Sequence, residues 1–320
     1  MGGQALRSRS ASAETTGIMA KTQALLSSLT PDLAERARFE LDGDVHRGWN
    51  FMGTRLKPGA PLEQMDETQK QAAYELLQAG LSADGYDKVR LIMATQDVMR
   101  ELGRGPASRN SERFSLAIFG EPAPDQRWGL RVEGHHLSLS WTLVGDEIVS
   151  LTPASFSVIP QNIPVGELKG TRVLDLEETG ARRLINDLTG NRKQTALISE
   201  RTPGNVLAQA GREDRFGTPE GIAVADLGSA QRDLLWELIH RTTVDPWPAA
   251  IADAQATRVR EGDPAAIHFA WAGSTGPGEM FYYRIQGDNL VLEFTSVFGD
   301  PEHLHAVYHD PERTLGRHRA

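Results

Sequence analysis

The chain has 320 residues, 39% hydrophobic and 24% charged, with 34 Lys and Arg against 43 Asp and Glu (net charge −9) and no cysteine. That length supports one large domain or two modest ones, and the lack of cysteine excludes disulfides, thiolate metal ligands and cysteine nucleophiles. Basic residues are scattered, which argues against a nucleic-acid partner, and no apolar run approaches the ~20 residues needed to span a bilayer.

Met1 to Gly17 carries Arg7 and Arg9 among Ser, Ala and Gly with no apolar stretch behind them. Residues 1–20 are therefore expected to be a disordered tail, and the chain cytoplasmic. Residues 21–105 read as a helical part. Thr30-Pro31 is an N-cap and N1 pair, Asp66 opens a second helix that closes near Gly80, and Asp87 to Leu102 makes a third. Between the first two lies an aromatic and basic loop, Arg47 to Arg55.

From about residue 106 the pattern changes to strands: Phe114–Phe119, Arg131–Leu143, Glu147–Thr152, Ala266–Trp271, Met280–Gln286, Leu290–Thr295 and Leu304–Tyr308. Helical stretches at Glu178–Leu188 and Ser229–Thr242 interrupt them. The expected fold class is α+β, an N-terminal helical part packed on a mainly antiparallel sheet core, with 21–320 integrated as one domain.

Histidine is the residue that points to chemistry. His135 and His136 sit side by side in an apolar strand pattern, so they face opposite ways unless a bulge at Gly134 intervenes. His303 and His305, two apart, point to one side of an extended segment, and Glu293 is a carboxylate inside the apolar run Leu-Val-Leu-Glu-Phe. The economical expectation is one metal site from Glu293, His303, His305 and one of His135 or His136. Nitrogen and oxygen donors of this kind suit iron or copper first, zinc or manganese second.

Arg284, amid Phe-Tyr-Tyr-Arg-Ile, is expected to clamp an anionic substrate group, with Tyr282 and Trp128 beside it. Its competing role is a buried pair with Glu293. Glu133 and Glu121 are the expected acid/base residues. No nucleophile elbow, P-loop or dinucleotide fingerprint occurs.

Several segments taken together resemble the DUF3500 family of unknown function. They include Ala79-Gly-Leu-Ser-Ala-Asp-Gly-Tyr86, Phe119-Gly-Glu-Pro122, Glu133-Gly-His-His-Leu-Ser-Leu139, Phe269-Ala-Trp-Ala-Gly273, Tyr282-Tyr-Arg-Ile285 and His303-Leu-His-Ala-Val-Tyr308. The resemblance implies a site shared with that family. This chain departs from the pattern around the histidines: Glu302 stands in place of Asn, His309 in place of Arg, and Thr314-Leu-Gly316 closes the chain where Asp-Phe/Tyr-Gly is expected. The expected function is a metal-dependent enzyme acting on a small anionic molecule, oxidative in the first instance. A zinc-type metallohydrolase and a non-catalytic metal- or ligand-binding protein are the alternatives, and the oligomeric state is left open.

Overall fold

A computed structural model describes residues 17–53, 56–212, 217–261, 263 and 265–316. Most of the expected tail lies outside those residues, and its last three, Ile18 to Ala20, already belong to a helix, Ile18–Ser28. The Thr30 side chain caps Pro31–Ala37 by accepting from Leu33 N. Asp66 and Gln69 form a reciprocal capping box at the start of Glu67–Gly80. The third long helix, Ala83–Glu101, begins four residues before the expected Asp87 because Ser82 supplies its cap.

Among the described residues, thirteen strands join one sheet. Its central order runs through Ser115–Phe119, Arg127–Gly134, Leu137–Val144, Ala154–Phe156, Asp300–His309, Leu290–Val297, Phe281–Gly287 and His268–Gly273. All of these neighbours pair antiparallel. The short strand Ala154–Phe156 pairs with Leu137–Val144 on one side and Asp300–His309 on the other, and so joins an earlier half of the sheet to a later one. The fold is α+β. No helix among the described residues is long and apolar enough to cross a membrane.

Register and alternation give the sheet two unlike faces. Leu130, Val132, Leu139, Trp141, Phe294 and Leu304 point to one side and form a single core with Leu25, Leu76, Ile92, Leu184 and Leu235 of the helices. The other face carries Arg131, Glu133, Ser138, Ser155, Arg284, Glu293 and His305, all buried. A short helix, Asp44–Arg47, and irregular segments cover this polar face. Arg131 donates to the carbonyls of Val45 and His46, Glu133 accepts from Asn50 N, and Glu293 accepts from Leu207 N and Ala208 N. Backbone groups of Asn50, Leu207 and Ala208, which lie in no helix or strand, are thereby satisfied by strand side chains.

The strand expected over Arg131–Leu143 is in fact a hairpin. Arg127–Gly134 and Leu137–Val144 pair in register from Arg127↔Val144 to Gly134↔Leu137, and His135-His136 is the two-residue turn between them. Gly134 lies against Phe114, where a Cβ would stand 2.1 Å from the ring. That approach sets how the turn leaves the sheet. Gly134→Ala is therefore expected to destabilise the fold by about 2 kcal/mol through overpacking, read as a lowered urea midpoint at unchanged slope; an unchanged midpoint would refute the close approach.

Candidate metal centre

His136 occupies the second position of the hairpin turn with φ +71°, a conformation uncommon for a side chain that is not glycine. Its main chain is held on both sides: the amide donates to Phe51 O (2.8 Å) and the carbonyl accepts from Ser157 N (2.8 Å). The ring is thereby aimed across the end of Ala154–Phe156 toward the later half of the sheet. There the chain departs from regular pairing. Ser296 pairs with Leu304 but Val297 pairs with Asp300, so three residues, Pro301, Glu302 and His303, have no opposite number. This bulge presents His303 beside His305.

The three rings meet at their Nε2 atoms. His136 Nε2 lies 2.9 Å from His303 Nε2, which lies 3.2 Å from His305 Nε2. One ligand atom from each residue falls within 4.8 Å of the others. Donors about 2.0–2.1 Å from an ion are separated by roughly 3.3 Å at a tetrahedral angle and roughly 2.9 Å at a right angle. The two spacings that His303 makes fall in that interval and all three donor atoms lie within 4.8 Å, so the three residues could hold one metal ion once the His136 and His305 rings close slightly on it.

Burial holds all three rings neutral. It pushes the pKa of His136 well down, that of His305 to about 3 and that of His303 to about 4, with neighbouring imidazoles lowering the first two further. In His305 the tautomer is also fixed. Asn205 Oδ1 accepts from Val206 N (2.8 Å), which orients the amide, and the same oxygen faces His305 Nδ1 at 2.8 Å. Nδ1 therefore carries the proton and Nε2 presents a lone pair. His303 Nε2 has two nitrogen neighbours but holds either one in-plane proton or one in-plane lone pair, so hydrogen bonding cannot satisfy both contacts fully. A cation can.

The other expected ligands lie apart from this cluster. His135 stacks on His136 with centroids 3.7 Å apart, and its Nδ1 faces Arg109 Nη1 (2.8 Å) and Gln96 Oε1 (2.9 Å). Glu293 has its oxygens occupied by Leu207 N, Ala208 N and the Tyr282 hydroxyl (2.7 Å), which turns a ligand candidate into a loop anchor. Arg284 is the cross-strand neighbour of Glu293, but its guanidinium donates to Glu220 Oε2 at 2.8 Å. Trp128 belongs to the apolar face, fully buried with its indole N–H donating to Gly145 O.

Neither expected acid/base residue joins the cluster. Glu133 accepts from Asn50 N and Ser138 Oγ, and burial raises its pKa. Glu121 is exposed and paired with Arg38 (3.0 Å), beyond the end of Ser115–Phe119 where Phe119 pairs Gly129. Ser115, at the other end of that strand, pairs Glu133 near the His135-His136 turn.

Sequence reasoning missed Asn205, Arg109, Phe51 and Phe298. Phe51 packs edge-on to His305 (5.1 Å), and Phe298 tilts over His303 (5.2 Å) while remaining 68% exposed. Phe298-Gly299 is a two-residue hairpin turn with φ +56° and +73°, positions that favour Asn-Gly. The signal was available as a bulky residue before the glycine of a tight turn. Phe298→Asn is expected to stabilise the fold by about 1 kcal/mol by relieving that backbone, measured as a raised melting temperature. A lowered one would show that the ring contributes more by contact than it costs in strain.

No match was found among curated proteins or among solved structures. A family model described as "Protein of unknown function (DUF3500)" matches residues 11–317, nearly the whole chain and including the hairpin turn, the bulge and all three imidazoles. The chain belongs to the DUF3500 family.

Proposed function

We propose that His136, His303 and His305 bind one divalent transition metal through Nε2, and that the protein is a metal-dependent enzyme acting on a small organic anion. The observation that carries this reading is the convergence of three neutral imidazole nitrogens, His136 and His305 buried and His303 half-buried, with the Nε2 lone pair of His305 set by Asn205. Three protein ligands leave coordination positions free, as catalytic sites do and closed structural sites do not. The ion supplies Lewis acidity or, as iron or copper, one-electron chemistry. The chain's own residues keep the rings neutral, orient His305, and border the cluster with the Phe51 and Phe298 rings.

Oxidative chemistry at iron or copper is the favoured form. Hydrolysis ordinarily uses a general base near the metal-bound water, and the carboxylates considered for that work, Glu133 and Glu121, are engaged elsewhere. A zinc hydrolase is the second reading, because three imidazoles are also an established zinc set.

Elemental analysis of protein purified without an affinity tag tests the proposal. The expected result is about one equivalent of metal per chain, lost from the His303→Ala/His305→Ala variant and kept by His135→Ala and Glu293→Gln. Wild-type protein free of metal, and unable to take it up on titration, would overturn the reading. Stoichiometric zinc with no iron or copper would replace oxidation by hydrolysis. Asn205→Ala is expected to weaken metal affinity roughly 10- to 100-fold in a competition titration with a chromophoric chelator; an unchanged affinity would show that Asn205 does not orient the ligand.

A further inference from the structure

Beside the imidazole cluster, on the far side of His135, lies a small, partly open pocket lined by Gln96, Arg109, Asn110, Arg113, His135 and Gly53. Two features of its arginines are unusual. Arg109 is only 9% exposed, yet no carboxylate pairs with it among the described residues; its side-chain partners are the neutral Gln96 Oε1 (3.2 Å) and His135 Nδ1 (2.8 Å), both served by Nη1. Arg113 likewise has no carboxylate partner among the described residues. Its buried Nε has no hydrogen bond, and Nη1 makes one long bond to Ser108 O (3.3 Å). In a chain with an excess of acids, two guanidiniums without counter-ions around one cavity are not explained by the fold.

The shape of the Arg109 environment points the same way. Nε and Nη2 form the edge of a guanidinium that takes a carboxylate through two parallel hydrogen bonds. Neither atom has an acceptor among the described residues. Gly105, at φ +96°, approaches this edge, where a Cβ would stand 2.8 Å from both nitrogens, so no side chain at that position covers them. The pocket is also electrostatically joined to the cluster. Arg109 is among the charges that act on His135, His136 and His303.

We propose that this pocket binds the carboxylate of a small organic acid, with Arg109 and Arg113 as its anion-binding residues, and so supplies the substrate-anchoring role next to the imidazoles. The proposal rests on the metal-enzyme reading only for the word substrate; the anion site itself stands on the unpaired guanidiniums. Arg284, buried against Glu220 on the later half of the sheet, takes no part.

Isothermal titration calorimetry at pH 7 with benzoate, succinate and inorganic phosphate, and with the neutral benzamide as control, tests the site. It is run on full-length protein as purified, on chelator-treated protein, and on the His303→Ala/His305→Ala variant. The expected result is that a carboxylate binds in all three, that benzamide does not, and that Arg113→Gln weakens binding roughly 10- to 100-fold. Arg109→Met is expected to abolish binding without lowering the melting temperature, since it removes a buried charge that has no counter-ion.

Failure of both carboxylates to bind any of the three samples would overturn the proposal. So would equal binding of benzamide, or an Arg113→Gln affinity matching wild type. Phosphate bound in an Arg113-dependent way while carboxylates are not would overturn the carboxylate assignment. Binding that disappears with the metal and ignores Arg113→Gln would place the anion on the ion instead. Carboxylate binding in protein that never takes up metal would remove the metal-enzyme reading and leave the anion site intact.

Discussion

One face of the sheet is built from buried polar side chains, and the covering loops depend on it. Arg131, Glu133 and Glu293 offer donors and acceptors to the main chain of segments around residues 45–51 and 205–208. A buried peptide group without a partner costs on the order of 1–3 kcal/mol, so the docking of these segments depends on the strand side chains that meet them. The docked loops then deliver Phe51 O to the His136 amide and Asn205 Oδ1 to the His305 ring. The imidazole cluster is thus set at the end of a chain of hydrogen bonds that begins on the strands.

This arrangement explains what was and was not legible in the sequence. Period-two alternation located most of the strands, and the two-residue spacing of His303 and His305 correctly put them on one side. The His-His pair misled, because a tight turn with a buried histidine at positive φ looks, as a string of letters, like the middle of a strand; Gly134 suggested a bulge where it permits contact with Phe114. Glu293 and Arg284 were noticed for the right physical reason, the cost of burying charge, but their partners lie in segments distant in the chain. A carboxylate that anchors a loop and one that ligates a metal leave the same mark on a single strand. Asn205 and Arg109 carried no local signal at all, since each acquires its role only through a neighbour brought by folding.

Charge around the site runs against the overall balance. The molecule is acidic, yet Arg104, Arg109 and Lys57 are the cations felt by the histidines, and burial pushes the pKa of Lys57 down toward the neutral form. These cations oppose protonation of the imidazoles, and at His303 the Asp300 carboxylate, paired with Arg104, offsets part of that effect.

The two sides of the imidazole cluster come from the two halves of the sheet: His136 from the earlier hairpin, His303 and His305 from a strand of the later one. Among the described residues, the three-residue strand Ala154–Phe156, extended by the Val158↔Leu304 bridge, joins those halves through the ladder. Under the proposed metal binding, an ion seated there would act as a removable rivet across the seam. Fastened to the native arrangement and not to the unfolded chain, it would raise the resistance of the whole molecule to heat, and melting behaviour would become a gauge of how fully the protein is loaded.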